Sequence, residues 1–195
     1  MALSKIDVAN MLTGATPVAN GGTGIASGTS GQFLKFTGST TLASSAVSAG
    51  KVLQVVEQIH TSNSYSTSTS YATLFTKSIT PSATSSKVLV IATIGYNLYG
   101  NGGSSFPNGT IKLMDNGDNL IATAFANASG NVSTDQTDQW NSSLSLVQLD
   151  SPNTTSAHSY KIAYKAGGSG RFGILGDSGG SNENSSSLTL IEIGA

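Results

Sequence analysis

The feature that most constrains this chain is its pattern after residue 50, where no segment shows the 3.6-residue periodicity of a helix. Short runs rich in β-branched and aromatic residues alternate there with turns rich in Gly, Asn and Ser. This pattern predicts an all-β fold, an antiparallel sandwich. The predicted strands cover residues 51–60, 71–79, 87–99, 110–115, 119–126, 139–149, 158–166, 170–175 and 187–193.

One connection carries a clear turn signal. The segment 111–125 centres on Asn116-Gly117, a dipeptide favoured in type I′ turns, whose two central residues both have positive φ. We therefore predict a hairpin with a type I′ turn at this position.

Two segments are apolar on both faces of their predicted strands, namely Val88–Ile91 and Leu188–Ile193. Only one face of each sheet in a single sandwich meets the core, so a second apolar face implies another subunit or another layer. The alternative is an ordinary central strand with some exposed aliphatic side chains. Strand 158–166 differs, because Tyr and Ile alternate with Lys and Ala and predict one wet face.

Composition restricts the function classes. The chain has 195 residues, of which only 10% are charged, and its net charge is -1. This balance argues against nucleic-acid binding, which needs clustered Lys and Arg. The chain contains no cysteine, which excludes disulfides, thiolate catalysis and Cys-ligated zinc. Without a signal peptide or a run of about 18 apolar residues, we expect synthesis in the cytoplasm and no membrane insertion.

The N-terminal quarter differs in composition from the rest. Residues 1–36 are predicted to form an extended arm with at most one short helix within residues 1–16, for which Ser4 is a candidate N-cap. Residues 37–50 form a linker rich in Gly, Ser, Thr and Ala, and residues 51–195 form the β head. The strand-like island 31–36 contains two phenylalanines, which are costly to leave in water. We therefore expect the arm to dock on another molecule.

Within the arm, the segment Pro17-Val-Ala-Asn-Gly-Gly-Thr-Gly24 resembles the N-terminal segment of bacteriophage tail-fibre and related virion-surface proteins. The resemblance covers residues 11–36. It implies a location on the surface of a phage particle and attachment to another virion protein, of the tail or the capsid, through residues 1–36. The anchoring residues it implies are Pro17, Val18, Asn20, Gly21, Gly22 and Gly24.

The head carries a second resemblance. Residues 79–92 and the closing stretch 188–195 are similar to the jelly-roll head domain at the ends of many phage fibres, whose form is that of the tumour-necrosis-factor and complement-C1q heads. The resemblance implies a homotrimer whose inner sheets pack about a threefold axis. The chain departs from long fibres because it has no shaft repeat.

Catalytic patterns are weak. Gly176-Asp-Ser-Gly-Gly180 fits Gly-x-Ser-x-Gly, but no helical pattern follows Ser178, as a nucleophile elbow requires. His60 and His158 lack neighbours at metal-ligand spacing. We therefore predict no enzyme activity, no catalytic residue, no metal and no cofactor. Four acids lie beside the Asn-Gly turn or in the segment before Trp140, namely Asp115, Asp118, Asp135 and Asp138. Asp is favoured in turns and loops by local hydrogen bonds and solvation, which accounts for these residues better than cation binding does.

Recognition is expected in the loops, since loops on a rigid sandwich commonly bind ligands. Aromatic faces with neighbouring amides suit the sugar rings of a bacterial surface glycan. For the one tryptophan, the alternative is packing in the core or an interface. The candidate receptor-binding residues are Tyr99, Asn101, Phe106, Trp140 and Arg171.

The sequence thus predicts a phage virion structural protein, a tail-fibre or tail-tip adhesin that presents a trimeric head to the host surface. Two alternatives remain open at this point. One is a capsid decoration protein with a trimeric head on the shell, and the other is a fibre-borne glycan hydrolase.

Overall fold

The computed structural model describes residues 23, 25, 28–39, 41–46, 50–100, 107–127, 139–168, 170–175 and 185–194. Within these ranges the regular structure is entirely β-strand, with no helix, so none of the described segments is a helix able to span a membrane. The helix predicted within residues 1–16 lies outside the described ranges. The chain divides into two compact units, Met1–Ala49 and Gly50–Ala195.

Twelve strands form within the described residues, two in the first unit and ten in the second. All nine strands predicted in the head are present, with ends that differ by at most two residues. The strands are β1 (Phe33–Phe36), β2 (Leu42–Ser45), β3 (Val52–His60), β4 (Ser64–Ser66), β5 (Ala72–Ile79), β6 (Lys87–Tyr99), β7 (Asn108–Met114), β8 (Leu120–Asn127), β9 (Gln139–Asp150), β10 (His158–Ala166), β11 (Arg171–Ile174) and β12 (Ser186–Ile193).

Eight strands of the second unit pair as one long hairpin nested about a central turn. β7 pairs with β8, β6 with β9, β5 with β10 and β3 with β12, all antiparallel. Folding this nested hairpin places β5-β10-β7-β8 in one sheet, and β3-β12-β6 with β9 in the other. This is the strand order of a jelly roll, so the predicted all-β, antiparallel fold is confirmed.

Two short strands extend the larger sheet. β11 pairs with the last part of β6, beyond the residues that pair with β12, and β4 pairs with β11. β6 therefore has β12 and then β11 along one edge, while β9 covers its other edge over the full length.

The core lies between the two sheets and takes alternate residues from each strand. Val88, Val90 and Ile94 of β6 are fully buried, as are Tyr160 and Ile162 of β10, and all five belong to one hydrophobic cluster. On β10, the lysines that alternate with these residues point away from the core and are partly exposed. The wet face predicted for this strand is therefore present.

The β7–β8 hairpin forms as predicted, but its turn is not type I′. Neither Asn116 nor Gly117 has positive φ, whereas Asp118 does, at 64°. The N–H of Asp118 donates to the carbonyl of Asp115 (3.2 Å), whose carboxylate accepts from the N–H of Gly117 and of Asn119, both at 2.8 Å. These bonds favour a turn that closes with a left-handed residue, a conformation that Asp tolerates.

In the first unit, β1 and β2 form a small antiparallel hairpin in which Phe33 is opposite Ser45 and Phe36 is opposite Leu42. The strand-like island predicted at residues 31–36 is thus a strand. β2 lies within residues 37–50, which the sequence predicts to be linker, because Ser and Thr side chains as well as the backbone close this hairpin.

One carboxylate is fully buried in the head. Glu192 of β12 accepts hydrogen bonds from Nε2 of Gln54 (2.6 Å), from the N–H of Ser82 (2.6 Å) and from its hydroxyl (3.1 Å). Burial raises the pKa of Glu192, but these hydrogen bonds outweigh burial and hold the pKa below its usual value. The carboxylate thereby ties the β5–β6 connection to the pair β3–β12.

Replacing Glu192 with Gln should lower the free energy of unfolding at neutral pH by about 2 kcal/mol, because hydrogen bonds to a buried charged acceptor are lost. A carboxyl with a lowered folded-state pKa stabilises the fold above its usual pKa of 4.5, and this contribution disappears as the pH falls through the folded value. The free energy of unfolding, measured with denaturant between about pH 7 and about pH 3, should therefore fall more steeply with decreasing pH for the native chain than for Glu192→Gln. If the free energy of unfolding depended on pH in the same way in both chains, the stabilising role of the ionised Glu192 would be contradicted.

Candidate functional site

The two ends of the jelly roll differ in their connections. At one end, the N–H of Gly50 donates to the carbonyl of Gly194 (3.0 Å), beside the connections 80–86, 115–119 and 151–157. We refer to this as the base. At the opposite end, the loop end, β3, β6, β8 and β10 end and β5, β7 and β9 begin.

At the loop end, Arg171 lies between the rings of two tyrosines. Its Cζ is 4.2 Å from the centroid of the Tyr65 ring and 4.6 Å from that of the Tyr99 ring. The register explains this, because Arg171 is opposite Tyr99, and Gly173, on the same face, is opposite Tyr65. A cation over an aromatic face is attracted by the ring quadrupole. Tyr65 is 43% exposed, so this Tyr65–Arg171–Tyr99 stack is open to solvent.

Two glycines make room for the stack. A Cβ at Gly173 would lie 2.4 Å from the Tyr65 ring, so only glycine lets that ring cover β11. Gly170 has φ of 108°, and a Cβ there would lie 2.6 Å from the carbonyl oxygen of Tyr99. Glycine at these positions therefore allows β4, β6 and β11 to approach closely enough to enclose the guanidinium.

An amide pair lies beside the stack. Nδ2 of Asn97 donates to Oδ1 of Asn141 (2.6 Å), and Asn97 is only 3% exposed. Its Oδ1 has no hydrogen-bond partner among the described residues, and the same holds for Nε of Arg171. Buried polar atoms are nearly always paired. Both atoms are buried, so the exposed polar side chain beside the aromatic rings is Asn141.

Of the predicted receptor-binding residues, Tyr99 and Arg171 are brought together. Trp140 pairs with Leu98, is partly buried and packs against the core, so it lies on the opposite face of the sheet. This matches the alternative interpretation, core packing. Outside the described residues lie Asn101, Phe106 and all the predicted anchoring residues, Pro17, Val18, Asn20, Gly21, Gly22 and Gly24.

The sequence prediction missed Tyr65, Asn97 and Asn141. Asn97 stands two residues before Tyr99 in one strand, so their shared face could have been inferred from alternation. Tyr65 carried no such signal, because its place depends on the pairing of a three-residue strand, β4, with the distant β11.

Nearer the base, the same sheet face is apolar. One row runs across four strands, since Val55 is opposite Ile191, Ile191 is opposite Leu89, and Leu89 is opposite Leu149. Val55 and Leu149 are 56% and 46% exposed. We call this face the apolar patch, and its members are Val52, Val55, Leu89, Ile91, Val147, Leu149, Ile191 and Ile193.

The histidines lie at strand ends beside aromatic rings. His60 stacks on Phe75 with ring centroids 5.5 Å apart, and burial lowers its pKa. His158 meets Tyr160 edge-on at 5.0 Å, and the Tyr160 hydroxyl donates to Asp150 (2.7 Å). Burial, with this bond, raises the pKa of Tyr160. No group of three or more His, Cys, Asp or Glu side chains that could hold a metal ion occurs in the described ranges.

The acids around the β7–β8 turn have structural partners. Asp115 caps the turn as described above, and Asp118 forms an ion pair with Lys161. Asp135, Asp138 and the Gly176–Gly180 motif with Ser178 lie outside the described residues. The absence of catalytic and metal-binding roles therefore stays a prediction.

No protein-family model matches the chain, and no curated protein matches it. Among solved structures, the infectious bursal disease virus VP2 subviral particle is similar at 14% identity and a TM-score of 0.29, with 82% of this chain and 43% of that chain covered. The structure of the Gx strain of the same virus gives 11% identity, a TM-score of 0.32, and coverage of 82% and 40%. The chain thus spans less than half of these proteins. The similarity is distant.

Proposed function

We propose that the chain is a virion structural protein, a tail-fibre or tail-tip adhesin. Residues 1–36 anchor it to another virion protein, and the head binds a bacterial surface glycan. The observation that carries this proposal is the Tyr65–Arg171–Tyr99 stack at the loop end, opposite the end where Gly50 begins the head.

The chemistry of the stack suits a sugar. The exposed part of the Tyr65 ring offers an apolar surface for the C–H groups of a sugar ring. The exposed amide of Asn141, which is hydrogen-bonded to Asn97 beside the rings, offers hydrogen-bonding groups for its hydroxyls. Such a site is weak alone, but several copies on one particle raise the avidity well beyond the affinity of one site.

We further propose that the apolar patch joins three heads into a homotrimer. Complete burial of an exposed valine or leucine side chain contributes about 1.5–3 kcal/mol. Four members of the patch are exposed and would provide this driving force, namely Val52 (61%), Val55 (56%), Val147 (58%) and Leu149 (46%). On β6, Ile91 and Asn97 are six residues apart, about 20 Å along a strand. Polar Thr93 lies between them, and the stack therefore stays beyond the apolar contact.

The first unit supports the anchoring role. Phe33, Leu34 and Phe36 of β1 are 64%, 55% and 65% exposed. Large apolar side chains in water are unfavourable, and contact with another protein would remove this cost.

Replacing Arg171 with Gln should weaken binding of the purified protein to host cells about tenfold, since loss of the cation between the two tyrosine rings costs about 1.4 kcal/mol. Lys51→Gln is the matched control, because it removes one positive charge from the base. Binding is measured by titrating fluorescently labelled protein onto cells, with thermal unfolding as a check on the fold.

Undiminished cell binding by Arg171→Gln would refute the glycan site. If the native protein does not bind cells but stabilises empty phage shells against heat, it is a decoration protein instead.

The native chain should sediment as a trimer, and Val55→Lys with Leu149→Lys should sediment as a monomer, because buried unpaired ammonium groups disfavour association. Leu120→Lys is the control, since Leu120 is equally exposed, at 56%, but lies in the other sheet. Analytical ultracentrifugation distinguishes the outcomes. Trimers that survive the double substitution would place the interface elsewhere.

Deleting residues 1–36 should abolish incorporation into virions while the head still folds, because the head has its own core. Incorporation is measured by immunoblotting purified particles, and folding by thermal unfolding of the truncated chain. Virions that contain the truncated chain at the native level would contradict anchoring through this segment.

A further inference from the structure

A second aromatic and cationic cluster lies on the outer face of the four-stranded sheet, away from the stack. Nζ of Lys112 is 4.2 Å from the centroid of the Tyr71 ring, and Nζ of Lys165 is 4.9 Å from the same centroid. Lys112 is on β7 opposite Ala163, two residues before Lys165 on β10, so the two lysines are diagonal neighbours.

These two positive charges lie close together, and no described acidic residue forms an ion pair with either. Both nitrogens contact one ring, so they lie within about 9 Å of each other, which is less than the screening length of about 10 Å at 0.1 M salt. Neither forms an ion pair with a described residue, whereas Lys161 on the same face is paired with Asp118. Like charges at this separation repel, and a bound anion would relieve that repulsion.

An exposed aromatic ring shares this face. Lys165 is opposite Thr110, and Thr110 is opposite Phe125, so the three residues form one row across β10, β7 and β8. Phe125 is 72% exposed, the most exposed of the large hydrophobic residues described. The two ammonium groups can contact carboxylates, and the aromatic ring can pack against the apolar face of a sugar ring. Both groups are present in a polysaccharide of acidic sugars.

We propose that this face binds an acidic polysaccharide. Lys112 and Lys165 contact its carboxylates, and Phe125 packs against a sugar ring. This extends the proposed function, because it adds a charged-glycan surface that does not depend on the stack. Nucleic acid fits less well, since its affinity comes from many phosphate contacts, and the described part of this face offers only two lysines outside an ion pair.

The test is calorimetric titration of the full chain with polygalacturonate, and with its methyl ester as a ligand that has the same sugar but no charge. The native chain should bind the acid form and not the ester, and more weakly as salt rises. The double variant Lys112→Gln/Lys165→Gln should bind at least fivefold more weakly, since each exposed ion pair contributes up to about 1 kcal/mol. Phe125→Thr should also weaken binding, while keeping a residue suited to a strand.

The control is Lys87→Gln, which removes a lysine from the other sheet, where it bonds Ser151 (3.1 Å), and should bind like the native chain. Equal affinity of the double variant, equal affinity for the ester, or tighter binding of duplex DNA would each overturn the proposal. If cell binding depends on Arg171 but the native chain does not bind polygalacturonate, only the present proposal is refuted. If the native chain binds polygalacturonate but Arg171→Gln binds cells as well as the native chain does, only the glycan site at the stack is refuted.

Discussion

The nested antiparallel pairing about the Asp115–Asn119 turn fixes the position of every feature of the head. A one-residue slip in any pair would move each side chain of that strand to the opposite face of its sheet. The register places Arg171 opposite Tyr99, and it places Lys165 opposite Thr110. Both surfaces therefore depend on pairings between strands that are distant in the sequence, and neither could form from one segment alone.

The same pairing separates the surfaces by chemistry. One sheet has an outer face that is apolar near the base and becomes aromatic and polar toward the loop end. The other sheet has an outer face with lysines and an exposed phenylalanine. In a chain with only 10% charged residues, two uncompensated lysines on one ring form a distinct electrostatic feature.

Much of the fold could be predicted from the sequence, because the two-residue alternation of a half-buried strand is a local signal. The turn at Asn116-Gly117 was predicted wrongly, since the dipeptide preference does not include the Asp115 carboxylate, which binds two backbone amides and shifts the left-handed residue to Asp118. The site was predicted in part. Tyr99 and Arg171 were identified as residue types suited to sugars, but their contact arises from the β6–β11 register.

The cluster on the other sheet shows the same limit. Alternation puts Lys112 and Lys165 on the outer faces of their own strands, yet only the β7–β10 pairing makes them neighbours. Those strands are not consecutive, so no short-range pattern contains the information. The two polar atoms of Asn97 and Arg171 without described partners could likewise be recognised only in three dimensions.

The nested pairing also sets the order in which the head can assemble. The β7–β8 hairpin closes a short loop, whereas a hydrogen bond between β3 and β12, from Thr189 to Glu57, joins residues 132 positions apart. Loop-closure entropy makes such distant pairs slow to form, and chains rich in them fold slowly. Loop-closure entropy therefore favours early formation of the β7–β8 hairpin and late pairing of β3 with β12. Pairing of β3 with β12 then completes the domain.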